Sequence, residues 1–142
     1  MKFTESLKKN RDFQFVYQNG KSCANRLLIL YVFRRASYAG GKEALPSSFR
    51  KMKDGQNRLG VSVSRKVGNS VVRHHLCRLI RESYRLHEEE FVGGLDVIVI
   101  ARPGAKESNF FDIERALLHA GKIAGIRTAQ SLAAEKQKKH AE

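Results

Sequence analysis

The sequence predicts an α/β fold in which about three helices pack against a small β-sheet. Three short runs of apolar residues are typical of strands, and an amphipathic, arginine-rich segment follows the second run directly. Helical patterns also precede the first strand and follow the third. The chain has 142 residues, which suits one compact domain, and we expect that domain to span residues 1–127.

The first helix is predicted between Asn10 and Gly20. Asn10 is a candidate N-cap, and Gly20 is a candidate for the left-handed residue that ends a helix. The first strand follows at residues 27–33, which are rich in branched and aromatic side chains and are bounded by polar residues. We expect this strand to be buried.

Two more strands are predicted, at residues 58–64 and 95–101. The former alternates apolar and small residues, which is the period of a half-buried strand, and the latter is a second long apolar run. Between the first two strands, residues 36–57 hold glycines, serines and a proline without sustained periodicity. We interpret them as a long, mobile, basic loop rather than a core element, with an extra strand near Phe49 as the alternative.

Residues 62–82 join a strand, a glycine turn and an arginine-rich helix without a break. Gly68 can adopt the positive φ of a sharp turn, and Asn69 or Ser70 can cap the helix. Helical spacing places these apolar residues on one side: Val72, Leu76, Leu79, Ile80 and Leu86. The other side carries His74, Arg78, Arg81 and Arg85, with Arg73 and Cys77 at the flank. Guanidinium groups match phosphate geometry, so this helix is predicted to hold a polyanion.

A last helix is predicted to begin at Ser108 or Asn109, since either side chain can act as its N-cap. Its apolar side consists of Phe110, Ile113, Leu117, Ala120 and Ala124. Residues 128–142 contain few large apolar side chains. We therefore expect a basic C-terminal tail that is disordered or forms a frayed helix.

The charge of the chain indicates the class of its partner. Lys and Arg number 27 against 14 acidic residues, so the formal net charge is +13, which suits binding to a nucleic acid or an anionic membrane. The longest apolar run spans seven residues and is too short to cross a bilayer, and the charged start is unlike a signal peptide. We expect a cytoplasmic protein in which Cys23 and Cys77 are reduced and incidental.

Three blocks of the sequence resemble the protein subunit of bacterial ribonuclease P. They are LKKNRDFQFVYQNGKSCANRLLILYV at residues 7–32, RLGVSVSRKVGNSVVRHHLCRLIRE at residues 58–82 and LDVIVIARPGA at residues 95–105. The resemblance implies a mixed sheet with the element order αβββαβα. It also implies a left-handed crossover between the two strands that flank the arginine-rich helix, whereas the general rule favours a right-handed connection.

The resemblance further implies a function in tRNA processing. The chain would be the accessory subunit of a ribonucleoprotein endonuclease that hydrolyses the phosphodiester at the mature 5′ end of tRNA. Its partners would be the catalytic RNA and precursor tRNA, with no obligate protein partner and no membrane. Catalysis would reside in the RNA, which would bind Mg²⁺, so the chain alone is expected to hold no metal or other cofactor and to contain no catalytic residue.

The same resemblance assigns roles to individual residues. The expected contacts to the catalytic RNA are Arg65, Lys66, Asn69, Arg73, His75, Arg78 and Arg81. The family usually shows Arg, Asn, Arg, an apolar residue, Lys and Arg where this chain has Arg73, His74, His75, Leu76, Cys77 and Arg78. The cleft for the single-stranded leader is expected at Phe13, Tyr17 and Tyr31, because unpaired bases stack on aromatic rings. Phe15 is interpreted as core, and Lys21, Asn25 and Arg26 are further candidate contacts.

Three alternatives are weighed against this interpretation. A protein-only nuclease would need carboxylates gathered around magnesium, and the acids of this sequence do not form such a set. A zinc site at His74, His75, Cys77 and His87 lacks the second ligand pair of structural zinc sites. A basic ribosomal-type or nucleoid protein with the same fold and no role in processing fits the charge equally well.

Overall fold

A mixed five-stranded sheet is the centre of the fold. The computed structural model describes the backbone of residues 1–141 and the side chains of residues 1–139. Within these residues the strands lie in the order β1-β4-β5-β3-β2. They are β1 (Thr4–Ser6), β2 (Lys21–Ala24), β3 (Leu28–Arg34), β4 (Asn57–Ser62) and β5 (Leu95–Ala101). The α-helices are α1 (Asn10–Asn19), α2 (Ser47–Arg50), α3 (Ser70–Leu86), α4 (Phe110–Ile123) and α5 (Ala129–Ala141).

Strand β5 lies in the middle of the sheet and is paired along both edges. It runs antiparallel to β3, from Leu28 opposite Ala101 to Arg34 opposite Leu95. It runs parallel to β4, whose other edge pairs with β1 in parallel. Helices cover both faces of such a strand, which explains why β5 is a nearly continuous apolar run.

The two faces of the sheet hold two separate hydrophobic cores. Because side chains alternate along a strand, Val97 and Val99 of β5 face one side, together with the buried residues of α3 and α4. Ile98 faces the other side, where α1 contributes Val16 and the second core forms. Helix α1 covers this face of the sheet together with the segment between β3 and β4, which contributes Leu45 and Phe49.

The predicted fold class is confirmed. The series α1, β2, β3, β4, α3, β5 and α4 is the expected order αβββαβα, to which the structure adds β1, α2 and α5. Strands β4 and β5 are parallel neighbours joined through α3, and the hand of that crossover stays a prediction. Among the described residues, no helix combines the length and the apolar character needed to cross a membrane.

Two glycines are required by the close approach of neighbouring atoms and not by a left-handed backbone conformation. Gly20 ends α1 but has a φ of −83°, so the predicted left-handed stop is wrong. A Cβ there would lie 2.7 Å from the carbonyl oxygen of Val16 and 2.9 Å from that of Val32. Gly68 also lacks the predicted positive φ, and a Cβ there would lie 2.9 Å from Val72 Cγ1. In both places the chain needs a residue without a side chain because neighbouring atoms are too close.

The segment between β3 and β4 is part of the core, so the prediction of a basic flap outside it is wrong. It contains α2 instead of an extra strand, and Leu45 and Met52 are buried. Phe49 is only 1% exposed, and its ring centroid lies 4.6 Å from that of Phe15 and 5.7 Å from that of Phe33. Isolated apolar residues such as these produce no periodicity, which is why the sequence pattern missed them.

The predicted N-caps of α3 and α4 are confirmed, whereas the predicted start of α1 and the predicted apolar end of α3 are wrong. Asn69 caps α3 by accepting a hydrogen bond from Val72 N at 3.0 Å, and Asn109 caps α4 in a capping box with Asp112. Helix α1 begins one residue after Lys9, its N-cap, so Asn10 is its first residue and not its cap. Leu86 was assigned to the apolar side of α3 but is 53% exposed, because the helix ends there.

The C-terminal segment is helical from Ala129 onward, so disorder is the wrong alternative for residues 129–141. The start of α5 is fixed by Ser131, whose hydroxyl donates to Glu90 at 2.9 Å. Arg127 donates to Ser131 Oγ and, at 2.8 Å, to Glu135. Fraying toward the end stays a prediction, and Glu142 lies outside the described residues.

His87 lies between the carboxylates of Glu90 and Glu114. Its Nε2 is 2.8 Å from Glu114 Oε2, and its Nδ1 contacts Glu90. Burial works against the charged ring, but the hydrogen bonds to Glu114 and Glu90 outweigh it and raise the pKa of His87 above its ordinary value of 6.5. Arg127 faces the same cluster at 3.6 Å from Glu90. A charged His87 thus joins the end of α3 to α4 and, through Glu90, to α5.

We expect His87→Gln to lower the free energy of unfolding by about 1 kcal/mol near pH 6 and by less at higher pH. A histidine whose pKa is raised in the folded state stabilises that state fully when the pH is below the ordinary pKa. This stabilisation disappears as the pH rises through the folded-state pKa. Urea unfolding at a series of pH values measures the difference. His74→Gln, at an exposed position of α3, is the control. If the difference in unfolding free energy between the wild type and His87→Gln grows with pH, the stabilising role of charged His87 is contradicted.

Candidate nucleic-acid interface

Helix α3 presents a basic face because its opposite face is anchored in the core. Leu76 and Ile80 are completely buried against the sheet. The predicted contacts His75, Arg78 and Arg81 are exposed as a result, and Arg73 is half-buried at the flank. Neither Arg78 nor Arg81 forms an ion pair with any described residue, so their guanidinium groups remain available to an anion.

The turn that leads into α3 adds two more cations. Val67 is buried and its N–H donates to the carbonyl of Ser64 at 3.1 Å, which fixes the turn. Arg65 and Lys66 precede it and are exposed. The predicted contacts on this turn and on α3 therefore lie along one continuous segment, residues 65–81, which we call the basic helix surface.

The three aromatic residues predicted to line a cleft lie together on the α1 face of the sheet. The ring centroids of Phe13 and Tyr17 are 6.2 Å apart, and those of Tyr17 and Tyr31 are 4.9 Å apart. All three side chains are half-buried. We call this set the aromatic cleft, and its partly accessible rings are suited to stacking with unpaired bases.

Strand β4 forms one side of the floor of the aromatic cleft, which extends across β5 to Tyr31 on β3. A Cβ at Gly60 would lie 2.6 Å from Cζ of Phe13, so the ring rests against the strand only because this residue is glycine. Burial raises the pKa of the Tyr17 phenol, and a hydrogen bond with Ser62 opposes the rise. The β4 side of the cleft thus lies just before the chain enters the basic helix surface.

Phe15 lies on α1 between Phe13 and Tyr17 and is half-buried like them, but its ring packs against residues of the core. Its ring packs edge-on against Phe33 with a centroid distance of 5.2 Å, and it also contacts Tyr38 at 5.5 Å. Together with the contact to Phe49, these rings fill the space beneath α1. Phe13 and Phe15 of one helix therefore have different neighbours, Tyr17 and Gly60 for Phe13 and Phe33, Tyr38 and Phe49 for Phe15.

A buried ion-pair network supports the cleft, and sequence reasoning missed its role. Arg58 Nε lies 2.6 Å from Asp96 Oδ1, and Arg58 Nη1 lies 3.3 Å from Asp12 Oδ2. Arg35 Nη1 lies 2.9 Å from Asp96 Oδ2, and Ser48 Oγ donates to Asp12 Oδ1 at 2.7 Å. The available signal was a charged residue inside each of two apolar strands, β4 and β5.

The network also decides what the carboxylates can do chemically. Asp12 and Asp96 are both buried and both engaged by arginines, so neither is arranged as a metal ligand. Across residues 1–139, no group of three or more His, Cys, Asp and Glu side chains is placed to hold a metal ion. The site offers cations and aromatic rings to a ligand.

Of the further candidate contacts, Asn25 has a structural role. Its Oδ1 accepts from the N–H groups of Leu27 and Leu28, at 3.1 and 3.0 Å. Its Nδ2 donates to the carbonyl of Ala116 at 2.9 Å and thereby ties the start of β3 to α4. Lys21 and Arg26 are exposed, and an RNA contact by any of these three residues stays a prediction.

The fold and the site define an α/β nucleic-acid-binding protein with a basic helix surface beside an aromatic cleft. Residues 1–125 match the family model described as Ribonuclease P. Over 123 residues the chain is 46% identical to the ribonuclease P protein component of Lachnoclostridium phytofermentans, which covers 87% of this chain and 91% of that one. The chain belongs to the ribonuclease P protein family.

Solved structures agree with this assignment. The RNase P protein of Staphylococcus aureus has a TM-score of 0.69 and 36% identity, covering 89% of this chain and 98% of that one. The RNase P protein of Thermotoga maritima has a TM-score of 0.64 and 26% identity, covering 81% and 93%. The alternative of a ribosomal-type or nucleoid protein is not favoured by these relatives.

We expect Gly60→Ala to destabilise the protein by roughly 1–2 kcal/mol, because the new methyl group overlaps the Phe13 ring. Urea unfolding measures the change. In the background of Phe13→Ala the ring is absent, so the same substitution should cost much less, and a double-mutant cycle isolates this coupling. An equal loss of stability in both backgrounds would show that Gly60 is not needed to accommodate the Phe13 ring.

Proposed function

We propose that this protein acts in the maturation of tRNA 5′ ends as the RNA-binding component of ribonuclease P. The observation that carries the proposal is that strand β4 joins two kinds of RNA-binding surface. Its residues Gly60 and Ser62 lie beneath the aromatic cleft, and the chain then turns directly into the basic helix surface. Such a pairing suits a partner that offers both structured RNA and an unpaired strand.

The basic helix surface is assigned to the catalytic RNA. Its exposed arginines can each contact a phosphate in a forked geometry, and its charge lowers the repulsion between RNA segments. His75 replaces an arginine that is usual in the family, and an imidazole can still donate a hydrogen bond to a phosphate. The assignment therefore rests mainly on Arg73, Arg78 and Arg81.

The aromatic cleft is assigned to the 5′ leader of precursor tRNA. Stacking on Phe13, Tyr17 and Tyr31 would hold unpaired bases without selecting a sequence, at about 1–3 kcal/mol per base. Mature tRNA has no leader, so the cleft would favour the precursor over the product.

Hydrolysis of the phosphodiester is assigned to the RNA with its Mg²⁺, and the chain is assigned to binding. The pairing of Asp12 and Asp96 with arginines supports this division. Glu88 is likewise occupied, because it accepts hydrogen bonds from the backbone N–H groups of Lys2 and Phe3. A two-metal hydrolytic site would need such carboxylates to be available to cations.

We expect the protein alone to leave precursor tRNA uncut at every magnesium concentration. The catalytic RNA alone should cut it only at high magnesium, and the two together should cut it at low magnesium, because the protein's cations replace part of the metal's screening. Gel assays of leader release measure all three conditions. Robust cleavage by the protein alone would refute the division of labour.

We expect Phe13→Ala or Tyr31→Ala to weaken binding of precursor tRNA to the assembled enzyme by roughly tenfold, with little effect on mature tRNA. Filter binding or fluorescence titration with both RNAs measures the difference. Phe111→Ala is the matched control, since Phe111 is an exposed aromatic residue on α4, outside the cleft. Equal losses for precursor and mature tRNA would show that the cleft does not bind the leader.

A further inference from the structure

A second basic surface lies between the start of α1 and the segment around α2. It is a groove of about 500 Å³. Its cationic rim consists of Lys8, Lys9, Arg11, Lys51 and Lys53. We call it the α1–α2 groove, and it lies outside the basic helix surface described above.

The cations of this groove are available to a ligand. None of the five rim residues forms an ion pair with a described residue. The groove contains two acids, and both are engaged. Asp12 is buried and paired with Arg58, while Glu5 accepts a hydrogen bond from the neutral Gln56 Nε2 at 2.7 Å and keeps its charge, which the five rim cations outnumber. The groove is therefore strongly positive, and an anion entering it displaces no internal partner of the lysines.

The α2 side of the groove is held in a fixed position. Phe49 of α2 is buried, and Ser48 of the same helix donates a hydrogen bond to Asp12 of α1. Lys51 directly follows α2, so its backbone is set by that packing. A rim fixed in this way reduces the ordering cost of binding an extended ligand.

The groove is continuous with the aromatic cleft. Asp12 lies in the groove, and the next residue of α1 is Phe13 of the cleft. Arg58 and Gly60 lie on the same face of β4, with Arg58 in the groove and Gly60 under the Phe13 ring. The turn into the basic helix surface leaves from the opposite end of β4. The cleft thus lies between two basic surfaces, one at each end of the strand.

We propose that the α1–α2 groove binds the phosphate backbone of the leader upstream of the nucleotides in the aromatic cleft. No aromatic side chain lines the groove, so it offers charge without stacking. Lysines act as point charges on phosphates and read no sequence, which suits leaders of any sequence. This inference rests on the proposed function, and it adds Lys51 and Lys53 to the surface that distinguishes long leaders from short ones.

The test uses the assembled enzyme and precursor tRNAs whose leaders are lengthened one nucleotide at a time. The variant Lys51→Ala with Lys53→Ala should bind the short-leader precursors like the wild type and the long-leader ones roughly tenfold more weakly. The slope of log affinity against log salt for long leaders should fall by roughly 1.4, the value for two lost contacts to a single strand. Lys42→Ala with Arg50→Ala removes the same charge from the same segment outside the groove and should change neither quantity.

Besides the absence of any effect of the lysine variant, three results would overturn the inference. They are a loss of affinity that is independent of leader length, an equal loss in the control variant, and weaker assembly with the catalytic RNA, which would assign the groove to that RNA. The variant Phe13→Ala is measured in parallel. If Phe13→Ala weakens binding of precursor tRNA more than of mature tRNA while the lysine variant has no effect, the groove inference fails and the proposed function stands. If Phe13→Ala weakens binding of both RNAs equally, or of neither, the leader-binding function itself is refuted.

Discussion

The buried network around Arg58 is the interaction on which the arrangement of this protein depends. One guanidinium joins Asp96 in the central strand to Asp12 in α1, and Arg35 adds a second cation at the end of β3. Removing Arg58 would leave Asp12 without an ion-pair partner, and removing Asp96 would do the same to Arg35, each at a cost of about 3–5 kcal/mol. Apolar packing alone would let α1 slide on the sheet, whereas ion pairs with fixed geometry define one position.

That position determines both ligand surfaces on this face. Asp12 and Phe13 are neighbours on α1, so fixing the carboxylate also places the ring over Gly60. The same carboxylate accepts the hydrogen bond from Ser48 and thereby holds α2 against α1. The aromatic cleft and the α1–α2 groove therefore share one rigid support, and a substitution in the network would disturb both surfaces.

The sequence predicted the elements whose signal is strong within a short window. Strand β5 was predicted at its observed bounds because it is a continuous apolar run, and Asn69 and Asn109 cap helices as expected. Strand β1 has three residues and β2 has four, mostly exposed, so neither carries a periodic pattern. The aromatic cleft was predicted through resemblance alone, since Phe13 and Phe15 look equivalent in the sequence. Their separate environments arise from Gly60 and Phe49, which are distant along the chain.

The distribution of arginine and lysine follows from the number of partners that each position requires. Arg58 contacts two acids at once and Arg127 contacts Ser131, Glu90 and Glu135, which a planar group with five N–H donors can do in a buried site. The rim of the α1–α2 groove is mostly lysine, whose single ammonium group is sufficient for a mobile phosphate in water. A count of cations in the sequence does not separate these two uses. The position of an arginine within an apolar strand does, because an unpaired charge would not be tolerated there, and on that basis Arg58 belongs to the interior rather than to the interface.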